Sequence, residues 1–509
     1  MINSPHLSPH TASIHILDDD SLLNVFYLYR PFLLGEDDED SARLGGGKVG
    51  WVRGRWWYKL AHVCRRWRNL LLASATYLDI CLICTKDTPI ANMLAHSPPL
   101  PLIIDHVYGD VGISEEDEEK VLFALNQCDR VHRVRLQMAV PNLQKLILAM
   151  DKNFPLLEHL IIMVPSEDKS TIMTLPKTLQ APRLRHLALI GFVLPMQPQS
   201  FTASASLVTL ALVMTDPSTY FQPDALLQLL SLTPQLETLA IIFSFPDFHD
   251  DTDVHTQLSY MPIMTHVTLP NLRLFGFRGI STFTELLVRW ITTPRLEKLE
   301  FDFFKLDTIS VSSLLQFIDT LNNLRFDSAK FDFLEERVRV VFYPREEAEM
   351  FALSINVDWW FLDFQVSSVA QIFNTLSQTF FAVEHLTLEH GNYIRLVDVD
   401  NEVKWRKILR SFGNTKTLYV DDGFVEELSR CLRLDDGERP EELLPELQEL
   451  TYRCSSTNAL FTSFIDARQN AGRPVNLVRR SPSPSPLESF FDTPIFTSAS
   501  GESGDGFDT

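Results

Sequence analysis

A short phrase recurs from about residue 128 onward: an apolar residue, two variable ones, an apolar, one variable, an apolar. It occurs at Val131–Leu136, Leu157–Ile162, Leu184–Leu189, Leu207–Leu212, Leu236–Ile241, Leu272–Phe277 and Leu296–Phe301, and again at Val383–Leu388 and Leu447–Tyr452. Start-to-start spacings through the first seven copies are 26, 27, 23, 29, 36 and 24 residues. No single helix or hairpin has that period. It requires one supersecondary unit per repeat, each burying its apolar face against the next. The alternating end of the phrase predicts a strand with apolar residues inward and variable residues outward. Pro155, Pro182, Pro234, Pro270, Pro294 and Pro445 stand just before the phrase. There they end the preceding helix or turn and set up an extended chain.

Between phrases the apolar spacing changes to a helical one, over 224–232, 283–291, 311–321 and 369–380. Strand–helix alternation at this period resembles a leucine-rich repeat, and the resemblance implies a parallel-sheet solenoid curved into a horseshoe. The Asn or Cys that usually follows the last apolar position is mostly missing, so the repeats are degenerate. Phe331–Phe333, Val338–Phe342 and Ser354–Val357 read as extra strands whose pairing is open.

The N-terminal part carries a different signal. Asp18, Asp19 and Asp20 precede Leu22, Leu23, Val25, Phe26 and Tyr29, an apolar run at helical spacing with acids suited to cap it. Leu60, Val63, Trp67 and Leu71 form a second helical stripe, with Arg65, Arg66 and Arg68 largely off it. The two segments, Leu17–Phe26 and Val63–Arg68, resemble the opening and the Val-Cys-Arg-x-Trp helix of an F-box. This chain departs from the family at Asp18, where Pro is usual, at Ser21, where an apolar residue is usual, and at Asp79, where Trp commonly follows Leu. An insertion at 35–55 holds the acidic run 36–40 and Gly45–Gly47 and reads as a solvated loop. Similar insertions, and a stretch like Met93–Leu102, occur in the large F-box families of fungi.

The resemblance implies docking to a Skp1-like adaptor and, through it, to a cullin–RING ubiquitin ligase. Leu17, Leu22, Leu23, Val25, Phe26, Val63 and Trp67 would form the F-box core and Skp1 contact together, with Arg65 and Arg66 as solvated face. The expected organisation is α/β. Residues 1–12 are a disordered N-terminus, and 13–85 a short helical F-box with its insertion. Residues 86–127 are a linker or cap, 128–470 an irregular leucine-rich-repeat-like domain, and 479–509 a disordered tail. The tail is rich in Ser, Gly and Asp, and its Ser481, Ser483, Ser485 and Thr493 each precede Pro.

Composition narrows the function classes. A net charge of −21 argues against nucleic acid or an anionic membrane as partner. Six cysteines scattered over 509 residues make no disulfide framework, which points to a reducing compartment, cytoplasm or nucleus. Cys81 and Cys84 lie in an apolar run and read as core rather than as a metal pair. No signal peptide or membrane span is evident. Gly45–Lys48 lacks phosphate-loop spacing, and no hydrolase or zinc-protease motif occurs. His385 and His390 straddle a phrase, with His385 on the open face and His390 in the turn. No catalytic residue, cofactor or metal is expected.

A client would meet the open face of the strands. Outward positions are Thr209, Ala211 and Val213, then Thr238, Ala240 and Ile242, an apolar patch. Lys298, Glu300 and Asp302, then His385, Thr387 and Glu389, add a charged one. The outward carboxylates read as solvated. The expected function is substrate recognition for an SCF-type ubiquitin ligase, binding a protein client. The alternative is a non-enzymatic repeat scaffold whose degenerate F-box no longer engages Skp1.

Overall fold

The structure, a computed structural model, describes residues 17–30, 56–86, 88–108, 113–164, 173–176, 178–193, 204–214, 222–243, 266–304, 311–321, 324, 326–347, 352–358, 361–375, 382–391, 401–433, 439, 442–453 and 461–480. The N-terminus before residue 17, the insertion 35–55 and the Ser-Pro tail lie outside them. Two compact units divide between His159 and Leu160, so the first repeat phrase belongs to the first unit.

The first unit contains α1 (Asp19–Tyr29), α2 (Trp56–Ala61), α3 (Arg65–Ala73), β1 (Leu82–Cys84), α4 (Ile90–His96), β2 (Leu102–Val107), α5 (Glu115–Leu125), β3 (Val131–Gln137) and α6 (Val140–Ala149). The strands β1, β2 and β3 pair in parallel in that order. Asp18 caps α1 by accepting a hydrogen bond from the Ser21 amide at 2.6 Å, which holds its carboxyl below the usual range. The residues that depart from the F-box pattern here thus form a working helix cap. Ser114 caps α5, whose first turn is wholly acidic, as its dipole favours. Leu22, Phe26, Trp57, Trp67 and Leu71 share one core with Leu78, Ile80, Leu82, Leu100 and Leu102. The stretch 86–127, read as linker or cap, supplies two helices, a strand and, through Leu100 and Leu102, part of the core that the N-terminal helices need.

The second unit is also α/β, with a large and mostly parallel sheet. The division falls after the first residue of β4 (His159–Met163), which is followed by β5 (Met173–Thr174), β6 (His186–Ile190), β7 (Phe192–Val193), β8 (Thr209–Met214), α7 (Pro223–Ser231) and β9 (Thr238–Phe243). There follow β10 (Val267–Thr268), β11 (Leu274–Gly279), α8 (Ser281–Val288), β12 (Ile291–Thr292), β13 (Lys298–Phe303) and α9 (Ser312–Asp319). The central part is β14 (Ser328–Phe333), β15 (Arg337–Tyr343), β16 (Leu353–Asp358) and α10 (Leu362–Thr375). The unit closes with β17 (His385–His390), α11 (Glu402–Arg410), β18 (Thr417–Val420), α12 (Asp422–Cys431), β19 (Glu449–Arg453), α13 (Thr462–Asn470) and β20 (Asn476–Arg480).

From β6 through β8, β9, β11 and β13 to β16 the neighbours are parallel, and so are β14, β17, β18, β19 and β20. Between the two runs the chain reverses. β16 pairs antiparallel with β15, and β15 antiparallel with β14. These are the strands whose pairing the sequence left open. They interrupt the repeat because Phe331–Phe333, Val338–Phe342 and Leu353–Val357 alternate without the intervening helices a parallel crossover needs.

The phrase positions supply the core. Leu207, Leu210 and Leu212, then Leu236, Leu239 and Ile241, then Leu272, Phe275 and Phe277, then Leu296, Leu299 and Phe301 are all fully or almost fully buried. Each such side chain is worth roughly 1.5–3 kcal/mol relative to exposure. The helices lock successive layers. Glu285 of α8 accepts hydrogen bonds from the Ser313 and Leu314 amides, 2.7 and 2.9 Å, and so satisfies the open N-terminus of α9.

Candidate interaction surfaces

In the first unit the helices separate core from surface. Leu22 and Phe26 on one side of α1 are fully buried, and Phe26 meets the Trp67 ring edge-on at 5.0 Å. Trp67 itself is buried, and Leu17 and Leu23 pack partly buried against the same cluster. Val25, Tyr27, Leu28 and Tyr29 of α1 are exposed, Leu28 at 67%, and so are Val63 at 56% and Tyr77. Tyr27 packs on Tyr77 at 5.6 Å, so their rings belong to one surface. The seven N-terminal positions thus divide: Leu22, Phe26 and Trp67 are core, Leu17 and Leu23 its margin, Val25 and Val63 surface.

Arg66 is not merely solvated. It donates to Asp19 Oδ1 and to the Leu17 carbonyl, both at 2.7 Å, and ties the start of α1 to α3. Arg30 pairs with Asp79 at 2.8 Å. Asp79 sits in the left-handed region at φ 49°. Cys81 and Cys84 are not joined to each other by a disulfide, and burial pushes Cys81 up to about 11, so that thiol is not poised as a nucleophile.

In the second unit the pairing register aligns the outward positions into rows. The middle row runs Ala188, Ala211, Ala240, Gly276, Glu300, Ser354, Val341, Lys330, Thr387, Tyr419 and Thr451. The next runs Ile190, Val213, Ile242, Arg278, Asp302, Asn356, Arg339, Asp332 and Glu389. Thr209, Thr238 and Lys298 lie one row further back, as do His385 and Thr417 beyond the antiparallel strands. The face is therefore small and apolar at β6–β9 and charged from β11 onward. Thr209, Ala211, Val213, Thr238, Ile242 and Lys298 are half-buried, and Ala240 is buried.

The charged part differs from the solvated carboxylates expected. Glu300 and Asp302 are each only 1% exposed, and Ser354 and Asn356 beside them are buried too. Strand alternation puts these carboxylates on the outward face, but it carries no information on whether that face is covered. Arg278 Nε stands 3.7 Å from Asp302 Oδ2, and Arg278 Nη2 stands 3.6 Å from Asp358 Oδ2. One guanidinium thus serves two acids at ion-pair distance, too far for hydrogen bonds. Burial, with Asp302 close by, lifts Asp358 to about 7, and burial raises Asp302 as well.

Further along, Lys330 bridges Asp332 and Glu389 at 2.9 Å each. Burial alone would lower Lys330, but the two acids prevail and raise it. Burial outweighs Lys330 at Glu389 and pushes that carboxyl up. Thr387 is half-buried beside them. His385 is also half-buried, with Nδ1 2.7 Å from Thr417 Oγ1 and Nε2 2.9 Å from Arg345 Nη1, and burial lowers its pKa. His390 ends β17 rather than lying in a turn, packed on Phe424. No cluster of three or more His, Cys, Asp or Glu able to hold a metal occurs among the described residues. None of their helices is long and apolar enough to cross a membrane.

Arg278, Ser354, Asn356 and Asp358 were missed from sequence. Arg278 follows Phe277 in a phrase copy whose outward residues the alternation rule already exposes. Ser354, Asn356 and Asp358 sit in a strand without the phrase, so only the pairing of β16 with β13 brings them in.

No family model matches the chain, and no curated protein matches it significantly.

Proposed function

We propose that this chain is a substrate-recognition adaptor of an SCF-type ubiquitin ligase. Its N-terminal helices dock a Skp1-like subunit, and the sheet face of the second unit holds a protein client. The observation that carries the reading is the two-sidedness of α1: Leu22 and Phe26 are wholly buried, while Val25, Tyr27, Leu28 and Tyr29 stay exposed. Large apolar side chains grouped on one short helix, together with Val63 and Tyr77, need a partner to remove them from water. The spacing of Leu17–Phe26 and Val63–Arg68 resembles an F-box and names that partner by resemblance. The adaptor role needs no chemistry of its own, since holding a client near a charged conjugating enzyme raises effective concentration.

The test is capture of purified Skp1 by the full chain and by Leu28→Asp and Val63→Asp. Both positions are exposed, so these variants keep the core that Trp67→Ala would break. Capture by the native chain and its loss in folded variants supports the reading. No capture by the native chain sinks it and leaves the repeat scaffold.

A further inference from the structure

The strand order of the large sheet ends on β20, which pairs only with β19 among the described residues. The Asn476 amide donates to the Gln448 carbonyl at 2.8 Å. In a parallel ladder the backbone groups of Asn476, Val478 and Arg480 then turn toward β19, and those of Leu477 and Arg479 turn away from it. The strand is exposed or half-buried along its whole length. Its side chains show the same unfinished edge. One inward row runs Leu386, Leu418, Leu450 and Leu477, of which the first three are at most 1% exposed and Leu477 is half-buried. The next runs Leu388, Val420, Tyr452 and Arg479, and passes from buried side chains to an exposed cation at β20. An apolar row that loses its cover at an open edge, with backbone groups aimed outward beside it, has the form to take one further strand.

We propose that the chain's own tail supplies that strand, with Leu487–Phe491 returning antiparallel along β20. The described residues stop at Arg480, and 29 residues follow, 481–509. They hold five acids and no Lys or Arg, against the exposed Arg479 and Arg480. Residues 481–486, three Ser-Pro pairs, are a connection long enough to reverse the chain. Pro cannot donate to a ladder, so the run 487–493, bounded by Pro486 and Pro494, is the piece of strand length. With Leu487 opposite Arg480, the register sets Glu488 against Arg479, Ser489 against Val478 and Phe490 against Leu477. Phe490 then continues the inward apolar row past Leu477, and Glu488 meets the cation that ends the neighbouring row. The short tether holds the segment at about millimolar local concentration, which a competing molecule must exceed. The tail thus closes the edge against strand addition by a second copy or another chain.

The test is residue-resolved hydrogen exchange on the full chain, native and with Phe490→Asp or Glu488→Arg. The amides of Leu477 and Arg479 report the outer edge, and those of Leu450 and Tyr452 in β19 report that the sheet is intact. In the native chain the two edge amides should be protected, and either substitution should speed their exchange about tenfold or more while β19 stays unchanged. Arg479→Glu combined with Glu488→Arg should restore protection, because it reverses the pair without removing it. Edge amides that exchange freely in the native chain overturn the proposal and leave β20 an open edge blunted by its arginines. Protection that survives Phe490→Asp and Glu488→Arg overturns it as well. Protection that falls on dilution of the native chain assigns the edge to a second copy and rejects the tail.

Discussion

The Phe26 ring meets the Trp67 indole edge-on, 5.0 Å between centroids at 65°, and so joins the two separated segments of the N-terminal signature. Such a contact adds about 0.5–1.5 kcal/mol to the burial of either ring. Phe26 is fully buried and Trp67 nearly so, which places both in the core rather than on the exposed side of α1.

Trp67→Ala is expected to destabilise the first unit by about 3–5 kcal/mol, as for other large aromatic truncations in a packed core. Val63→Asp, at an exposed position, is expected to stay within about 0.5 kcal/mol of the native chain. Denaturant titration of both variants checks the contrast. Equal stabilities would place Trp67 outside the core.

Glu285→Ala removes the carboxylate that accepts from the Ser313 and Leu314 amides and leaves the start of α9 uncapped. The expected loss is about 1–2 kcal/mol, in the range of a lost helix cap. Hydrogen exchange should rise first at the amides of 313 and 314. Unchanged protection there would show that the cap does not operate in solution.

Asp358 links stability to pH. Its folded pKa, about 7, lies above the ordinary carboxyl value of 3.8, so the folded state holds this proton more tightly than the unfolded chain. The resulting stability is complete below about pH 4 and is lost as pH rises through about 7. Asp358→Asn removes that loss. Melting temperatures measured from pH 5 to 8.5 should therefore fall less steeply for the variant than for the native chain. Parallel slopes would rule out a raised Asp358.

Gly423→Ala puts a Cβ into the His390 ring, because α12 begins hard against the end of β17. Overpacking of this kind costs about 1–3 kcal/mol. Thermal unfolding checks it, and recovery in Gly423→Ala with His390→Ala would locate the clash. A fully stable Gly423→Ala chain would mean that the strand and helix stand further apart.

The recurring phrase was legible because its information is local. Leu236, Leu239 and Ile241, or Leu296, Leu299 and Phe301, need only alternation and helix spacing to declare which side is inward, and those positions are buried. The cap at Asp18 is local in the same way. The division of the N-terminal positions into core and surface was not legible. Val25 and Phe26 are neighbours in sequence, and only the packing of α1 on α3 tells them apart. Nor was the antiparallel insertion of β14, β15 and β16, or the burial of Glu300 and Asp302. Alternation decides which face of a strand a residue occupies. Which strand lies beside it, and whether water reaches that face, depends on contacts far apart in the chain, and Arg278 meets Asp358 only because β13 pairs with β16.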